Sequence, residues 1–271
     1  MDKRAIGVFD SGLGGITAVR QLKQLMPHEN IIYFGDTSRV PYGTRSRETI
    51  QKYAAQDIRF LLSQDVKIII AACGTVSANP PSETIETLEI DFTGVLLPAA
   101  QTACSATKNR RIGIIATPAT IRSGAYGKAI RSILHNPVII GKACPLFVPL
   151  VENGYIGRDN PVTQLIAKEY LEVMKAERVD TLILGCTHYP LIEELIADIM
   201  GPEVALVSPG AEAAKYVQAL LTNKGMLNEE DTAGECRYFV SDDIASFAET
   251  AGIFLQDDLS GQVEKIQIET Y

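Results

Sequence analysis

Short runs of apolar residues recur along the chain, and longer amphipathic stretches separate them. The runs are rich in Ile and Val and are nearly continuous rather than alternating, which is typical of strands that are covered on both faces. This pattern predicts nine strands, at residues 5–9, 30–34, 67–72, 94–97, 111–116, 137–141, 181–184, 204–207 and 237–240.

The stretches between these runs have the pattern of amphipathic helices. Apolar residues recur at helical spacing in residues 15–25, 47–63 and 161–176, which places them on one face of a helix. Regular alternation of strands and helices is typical of parallel sheets joined by right-handed crossovers. The sequence therefore predicts an α/β protein with doubly wound, mostly parallel sheets.

The chain contains a weak internal repeat. Residues 6–12 resemble residues 112–118, and each segment is followed by a later apolar run that ends at a cysteine. These cysteines are Cys73 and Cys186, which lie 67 and 74 residues after the start of their repeats. Two similar α/β units that face each other would bring both thiols to one cleft, although generic βα units also resemble one another.

The repeat also predicts how the chain is divided. No linker rich in Pro, Gly or Ser separates the halves, so we expect the chain to cross between them at ordinary loops, near Pro98 and near residues 208–210. This predicts a first domain made of residues 1–97 and 209–271, and a second domain made of residues 98–208.

Composition limits the kinds of partner. The formal net charge is −8, which disfavours nucleic acid because phosphate binding needs a basic surface. The longest apolar runs have the length of strands and are too short to span a membrane. Residues 1–4 are charged and lead directly into a strand pattern. This start lacks a secretory signal and predicts a cytoplasmic protein that binds no membrane.

Cysteine and histidine usage argues against disulfides and metals. The chain has five cysteines, and an odd number without an export signal disfavours a disulfide framework. It has no C-x-x-C pair, which disfavours a thiol redox protein. The three histidines and the cysteines also lack the spacing of a zinc site. We therefore expect neither a metal nor a redox cofactor.

Cys73 and Cys186 are the candidate reactive thiols. Each follows a predicted buried strand, and the carboxyl ends of such strands face the crevice where open α/β sheets bind ligands. Gly74, Thr75, Thr187 and His188 follow them and offer donors that can hold a carboxylate. A free cysteine is otherwise usually a small buried hydrophobe. We assign that role to the other three, Cys104, Cys144 and Cys236.

The segment Asp10-Ser11-Gly12-Leu13-Gly14-Gly15 follows a predicted strand and opens a helix. Glycines allow close approach of the backbone to a ligand, and a helix start attracts an anion. The segment partly matches a dinucleotide fingerprint, with Asp36 at about the expected distance, but Thr17 occupies the third glycine position. An aspartate at the strand end would repel pyrophosphate, whereas it would accept an ammonium group or tune a thiol.

Three further features can serve the same cleft. His188 can exchange a proton with Cys186 or donate to a substrate, and a core histidine is the alternative. Glu152 follows an apolar stretch at a turn, where a solvated acid is the alternative. The loop of Pro41, Tyr42 and Gly43 combines a fixed φ with a free backbone, as in loops that line pockets.

Taken together, these segments resemble the glutamate racemases, which make D-glutamate for bacterial peptidoglycan without a cofactor. The most specific match is Gly185-Cys186-Thr187-His188-Tyr189-Pro190, from which related aspartate racemases usually depart after the threonine. The matching segments run in family order, at residues 7–15, 36–37, 41–43, 72–73 with 75, 78–79, 149 with 151–152 and 154, and 184–190.

The resemblance implies two α/β domains related by a pseudo-two-fold, with the active site in the cleft between them. It implies that Cys73 and Cys186 are two bases, with Asp10 as the helper of the first thiol, and Glu152 and His188 as helpers of the second. It also implies a homodimer as the usual assembly. The residues expected around L- or D-glutamate are Asp10, Ser11, Pro41, Tyr42, Gly43, Gly74, Thr75, Thr117, Thr120, Thr187 and His188.

Gly74 departs from the family pattern, which usually has Asn after the first cysteine. The change removes an amide expected to contact the substrate, so affinity, turnover or substrate preference can differ here. Two alternatives stay open: a racemase of aspartate or of a broader set of amino acids, and a catalytically weak binding or regulatory relative. Retention of both cysteines together with their three helpers argues against an inactive relative.

Overall fold

A computed structural model of the protein describes residues 2–255, 257–259 and 261–271. Its strands, numbered in chain order, are β1 (Ile6–Asp10), β2 (Ile31–Gly35), β3 (Ile68–Ala71), β4 (Asp91–Gly94), β5 (Arg111–Ala116), β6 (Val138–Ala143), β7 (Thr181–Gly185), β8 (Ala205–Val207), β9 (Cys236–Val240) and β10 (Val263–Lys265).

The helices alternate with the strands along most of the chain. They are α1 (Ile16–Leu25), α2 (Arg47–Ser63), α3 (Gly74–Ala78), α4 (Ser82–Ile85), α5 (Leu96–Ala106), α6 (Pro118–Ser123), α7 (Ala125–Ile133), α8 (Phe147–Glu152), α9 (Pro161–Ala176), α10 (Glu193–Met200), α11 (Pro209–Lys224) and α12 (Ile244–Leu255). Short 3₁₀ helices cover Thr37–Arg39, Tyr42–Thr44, Tyr189–Ile192 and Ile268–Thr270.

The three helices expected from apolar spacing all form. Helix α2 begins where Ser46 accepts a hydrogen bond from the backbone N–H of Thr49, as a polar N-cap does. Helix α9 begins in the same way at Asn160, whose side chain accepts from two backbone N–H groups and is followed by Pro161. Their predicted limits, 47–63 and 161–176, agree with the structure because a cap marks each start.

The strands form two parallel sheets. The first has the order β10-β9-β2-β1-β3-β4, and the second has the order β6-β5-β7-β8. Every pair in both sheets is parallel. In each sheet the first strand of the unit lies between its second and third strands, and the fourth strand follows the third. The α/β class with two parallel sheets is therefore confirmed, and the repeat seen in the sequence corresponds to β1 and β5.

Helices cover both faces of each sheet, as expected of doubly wound units. On one face of the first sheet, α1 and α11 pack together, and α2 packs on the other face against β1 and β2. Helix α9 covers one face of the second sheet, while α5 and α7 cover the other. Burial of apolar strand residues on both faces explains why the strands appear in the sequence as continuous apolar runs.

One strand prediction is wrong, and one strand of the structure has no counterpart among the predictions. The strand predicted at residues 94–97 is wrong, because the strand is Asp91–Gly94 and Leu96 begins helix α5. A short apolar run can belong to a buried helix as well as to a strand, and Pro98 is tolerated in the first turn of a helix. The strand Val263–Lys265 was not predicted, since it has three residues and an edge position.

The chain passes from the first sheet to the second through α5, and returns through α11, so that β9 and β10 complete the first sheet. The division into residues 1–97 with 209–271 and residues 98–208 stays a prediction. None of the helices in the described part of the chain combines the length and the apolar character that a membrane span requires.

Candidate active site

The two candidate thiols come from equivalent strand ends. Cys73 follows β3 and is the N-cap of α3, while Cys186 follows β7, and these are the third strands of their units. Because parallel strands end at the same edge of a sheet, both cysteines face the crevice between the sheets. They line one cavity of about 290 Å³ to which both sheets contribute.

The surroundings of Cys73 favour a protonated thiol. Its side chain is buried, and its S–H donates to Ser11 Oγ at 3.6 Å. Burial, with a smaller contribution from the negative charge of Asp10, raises the pKa of the Cys73 thiol to about 12. At neutral pH this group can therefore donate a proton.

Asp10 lies beneath the turn that follows β1. Its carboxylate is fully buried and accepts a hydrogen bond from the backbone N–H of Gly12 at 3.1 Å. Burial raises the pKa of Asp10, against the opposing effect of the positive charge of His188. The carboxylate thus acts on Cys73 through its charge, from behind the cavity wall.

The surroundings of Cys186 are different. Its Sγ lies 3.7 Å from His188 Nδ1, and His188 Nε2 lies 2.9 Å from Glu152 Oε1. Burial alone would lower the pKa of the His188 ring, but the contacts with Cys186 and Glu152 outweigh it and raise the pKa to about 10. The ring is therefore an imidazolium at neutral pH, with Cys186 at one ring nitrogen and Glu152 at the other.

A buried polar network holds the loop that carries Pro41, Tyr42 and Gly43. The hydroxyl of Tyr42 donates to the carboxylates of Asp36 and Asp57, and Arg39 forms ion pairs with the same two carboxylates. Burial and the neighbouring Asp36 raise the pKa of Asp57 well above its usual range. This network fixes the loop against the cavity, whose wall includes all three residues of the loop.

A chain of hydroxyl groups joins the two sides of the cleft. Thr75 Oγ1 lies 3.0 Å from Thr117 Oγ1, which lies 3.0 Å from Thr120 Oγ1. Thr117 also caps helix α6 by accepting from the backbone N–H of Thr120. Thr75 and Thr117 line the cavity, so their hydroxyls are available to a ligand.

This arrangement can move protons between two sides of a small ligand. The wall offers a protonated thiol on one side and a thiol paired with an imidazolium on the other, and backbone N–H groups lie near both. Over residues 2–255, 257–259 and 261–271, no three His, Cys, Asp or Glu side chains gather as a metal site requires. The chemistry supported by these side chains is acid–base chemistry.

Comparison with known proteins decides the family. The family model for Asp/Glu/Hydantoin racemase matches residues 16–217, which include both thiols. The chain belongs to this racemase family. A glutamate racemase of Geobacter metallireducens is 43% identical over 269 residues, covering 99% of this chain and 98% of that protein.

Solved structures of other family members have the same fold. Glutamate racemase from Francisella tularensis, in complex with D-glutamate, has a TM-score of 0.92 and 40% identity, and covers 100% of both chains. Glutamate racemase from Thermus thermophilus, in complex with beta-chloro-D-alanine, has a TM-score of 0.89 and 38% identity, also with full coverage of both chains.

Most site residues predicted from the sequence of this racemase lie together on the cavity wall. Two predicted site residues, Asp10 and Thr120, are not among the described residues that line the cavity. Each lies directly behind a residue that does line it. The lining residues expected from the sequence are Ser11, Pro41, Tyr42, Gly43, Cys73, Gly74, Thr75, Thr117, Glu152, Cys186, Thr187 and His188.

Sequence reasoning did not predict the apolar part of the wall. Cys144, assigned to the core, is buried and also lines the cavity, beside residues of the loop that leads into α8. Cys144, Pro145 and Val148 belong to no motif, and apolar residues in a pocket and in a core look alike in a sequence. Gly12, Leu13, Pro149 and Gly185 lie in the matched segments, but no lining role is predicted for them. The unpredicted lining residues are Gly12, Leu13, Val40, Thr44, Pro118, Cys144, Pro145, Val148, Pro149 and Gly185.

Proposed function

We propose that the protein interconverts L- and D-glutamate without a cofactor, with Cys73 and Cys186 as the two bases. The observation that carries this proposal is the presence of both thiols on the wall of one small cavity. Racemisation requires that a proton leave one face of Cα and that another arrive on the opposite face. Two fixed groups on opposite sides of the substrate meet this requirement without moving.

The unequal surroundings of the thiols support a direction for each proton. With L-glutamate, Cys186 as a thiolate removes the α-proton, and Cys73 as a thiol donates to the other face. The raised pKa of Cys73 and the imidazolium next to Cys186 are the states that this direction needs. With D-glutamate the roles are exchanged, so Cys73 must first pass its proton to a base. The buried carboxylate of Asp10, whose pKa is raised by burial, is the nearby acceptor.

Stabilisation of the carbanion is the most demanding part of the reaction. We infer that donors aimed at the substrate carboxylate carry the developing charge, as in other sites that use preorganised dipoles. The candidates are backbone N–H groups near Ser11, Gly43, Thr75 and Thr187. Enclosure of the substrate in the cavity strengthens these contacts because water is excluded.

The relatives support glutamate as the substrate. The role that we propose for D-glutamate, in peptidoglycan synthesis, rests on the family resemblance. The relatives above are glutamate racemases, and one of them binds D-glutamate. We further propose a cytoplasmic homodimer, which rests on the family resemblance. Sedimentation velocity at several concentrations tests the assembly, and a single monomer peak at every concentration would reject it.

Circular dichroism of L-glutamate incubated with the purified protein tests the proposed activity. We expect the signal to decay to zero from either enantiomer without added cofactor. A panel of L-aspartate and other L-amino acids, assayed in the same way, tests the substrate: a faster reaction with aspartate would replace glutamate by aspartate in this proposal.

Single cysteine variants test the two-base mechanism. With α-deuterated glutamate, Cys73→Ala and Cys186→Ala should each lose racemisation, because each lacks one of the two proton carriers. Near wild-type racemisation by either variant would exclude the mechanism even if the activity itself is confirmed.

A further inference from the structure

Three glycines from the first sheet touch the second sheet across the cleft. They are Gly14, Gly43 and Gly74, and we call them the glycine seam. Each lies in a loop or helix start that follows a strand of the first sheet, and two of them also line the cavity. The residues opposite belong to the strand ends and loops of the second sheet that carry the site.

The contact at Gly74 is made with backbone. A Cβ atom at this position would lie 2.5 Å from the carbonyl oxygen of Gly185 and 3.8 Å from Cα of Cys186. Ordinary van der Waals contact begins at 3.4 Å, so a Cβ would be about 1 Å too close. A carbonyl cannot rotate away as a side chain can. A Cβ at position 74 therefore requires the backbone to shift on one side of the cleft, either at the start of α3 or at the strand end that carries Cys186.

The contacts at the other two glycines lie around the same cavity. A Cβ at Gly14 would overlap the hydroxyl of Thr187 and lie 2.6 Å from Nδ1 of His188. A Cβ at Gly43 would lie 2.9 Å from Cβ of Thr117. Thus each of the three contacts joins a first-sheet glycine to a residue of the candidate site, or directly before it, on the second sheet.

We propose that the glycine seam sets the closed distance between the two thiol-bearing sides of the site, with Gly74 as the main positioning residue. The proposal rests on the two-thiol function proposed above. Proton transfer from two fixed sides needs both groups near Cα at once, and a misplacement of about 1 Å can lower a rate about 100-fold. Glycine at position 74 therefore permits a spacing that a larger residue prevents.

The short distance between the two sides of the cleft also allows polar contacts across it. The hydroxyl bridge from Thr75 to Thr117 spans 3.0 Å, and Thr17 donates to the carbonyl oxygen of Thr187 at 3.1 Å. A separation larger by about 1 Å would break both, since hydrogen bonds between heavy atoms end near 3.5 Å. The seam thus also keeps Thr75 and Thr117 within reach of one substrate carboxylate.

Gly74→Ala tests the seam, because it adds only a Cβ. The matched control is Gly141→Ala, where a Cβ on strand β6 would meet Ile121 side-chain atoms at ordinary distances of 3.5 and 3.7 Å. In the racemisation assay we expect kcat of Gly74→Ala to fall about 100-fold, with a smaller change in KM, while Gly141→Ala matches the wild type. Unchanged kcat in Gly74→Ala would overturn the proposal.

A second readout needs no catalysis. Alkylation of each cysteine by iodoacetamide, followed by mass spectrometry, reports access to the cleft in the full chain without substrate. We expect Cys186 to react at least several-fold faster in Gly74→Ala than in the wild type. Cys104, which is half-buried and remote from the cavity, should react equally fast in both and thus report an intact fold. Equal rates at Cys186 would overturn the proposal.

These readouts separate the seam from the proposed function. If the wild type does not racemise glutamate but Cys186 is exposed by Gly74→Ala, the spacing role stands and the proposed activity fails.

Gly74→Asn adds the amide that glutamate racemases usually have at this position. We expect its racemisation to be impaired as well, because its Cβ meets the same carbonyl. Activity of Gly74→Asn at or above that of the wild type would overturn the spacing role. If Gly74→Ala does not fold, Gly43→Ala gives the same two readouts.

Discussion

His188 Nε2 lies 2.9 Å from Glu152 Oε1, so a buried imidazole next to Cys186 is tied to a carboxylate whose side chain is 40% exposed. This pair makes the second thiol different from the first. Cys73 has a buried carboxylate behind it, whereas Cys186 has a cation beside it and a carboxylate at the edge of the solvent. In the reaction proposed for L-glutamate, this asymmetry lets Cys73 begin as the acid and Cys186 as the base.

The ring of His188 is expected to titrate near pH 10 rather than near its ordinary value of 6.5. The measurement is the ring C–H signal in NMR, which is simple to assign because the chain has three histidines and His188→Gln removes one signal. Glu152→Gln should lower the pKa, because it removes one of the charges that favour the protonated ring. A midpoint below 7 in the wild type would contradict this interpretation of the site.

The same shift has a consequence for stability. A ring whose pKa is higher in the folded state stabilises the fold fully below pH 6.5, and this contribution disappears as the pH rises toward 10. We expect the melting temperature of the wild type to exceed that of His188→Gln at pH 6, and the difference to shrink by pH 10. A difference that grows with pH would mean that the ring is neutral in the folded protein.

The strand ends of the site could be predicted from the sequence, because buried parallel strands are continuous apolar runs and chemistry follows where they end. Cys73 and Cys186 are predicted in this way, whereas Thr117 is expected only from the family resemblance. The seam contact of Gly74 with Gly185 could not be predicted, since it depends on how two sheets approach each other. No local pattern in the sequence encodes that distance.

The sequence also did not distinguish residues on the cavity wall from those one contact behind it. Thr120 lies three residues after Thr117 on the first turn of α6, which brings its hydroxyl to that of Thr117. The family resemblance implies both as substrate residues, but Thr117 alone of the two lines the cavity. The sequence also does not predict the buried network of Arg39 beneath the loop that carries Tyr42, because an arginine in a loop sequence is usually exposed.

Thr117→Val and Thr120→Val separate direct contact from support. Valine keeps the shape of threonine and removes the hydroxyl. We expect Thr117→Val to raise KM about 10-fold, since the loss of one hydrogen bond to a charged ligand costs about 1–3 kcal/mol. Thr120→Val should have a smaller effect because it removes only the neighbour of that hydroxyl. Steady-state kinetics with both enantiomers measure this, and an equal or larger effect at Thr120 would contradict the geometry.

Tyr42→Phe tests the buried polar network that holds the loop of Pro41, Tyr42 and Gly43. The variant removes a hydroxyl that donates to two buried carboxylates, Asp36 and Asp57. Leaving buried acceptors with fewer donors should destabilise the fold by about 1–3 kcal/mol and raise KM, because the loop lines the cavity. Tyr53→Phe is the control, since Tyr53 packs beside Tyr42 but lies farther from the cavity. Wild-type stability and KM in Tyr42→Phe would show that Arg39 alone holds the loop.

Lys67→Met tests a buried ion pair on the first sheet, away from the site. Lys67 Nζ lies 2.6 Å from Glu29 Oε2 and donates to the carbonyl oxygens of Asp2 and Met226 at 2.8 Å each. Both side chains are almost fully buried. Removal of one partner leaves an uncompensated charge, which costs about 3–5 kcal/mol.

Chemical denaturation of Lys67→Met should show this loss as a lower midpoint with an unchanged slope. The double variant Lys67→Met with Glu29→Gln removes the stranded charge and keeps an oxygen that can accept from the backbone N–H of Asn228. We therefore expect the double variant to be more stable than Lys67→Met alone. Because the pair joins the start of the chain to the segment that returns to β9, its loss should leave the kinetics at Cys73 and Cys186 unchanged below the melting temperature. If the double variant is the less stable of the two, Glu29 is stabilised by groups other than Lys67.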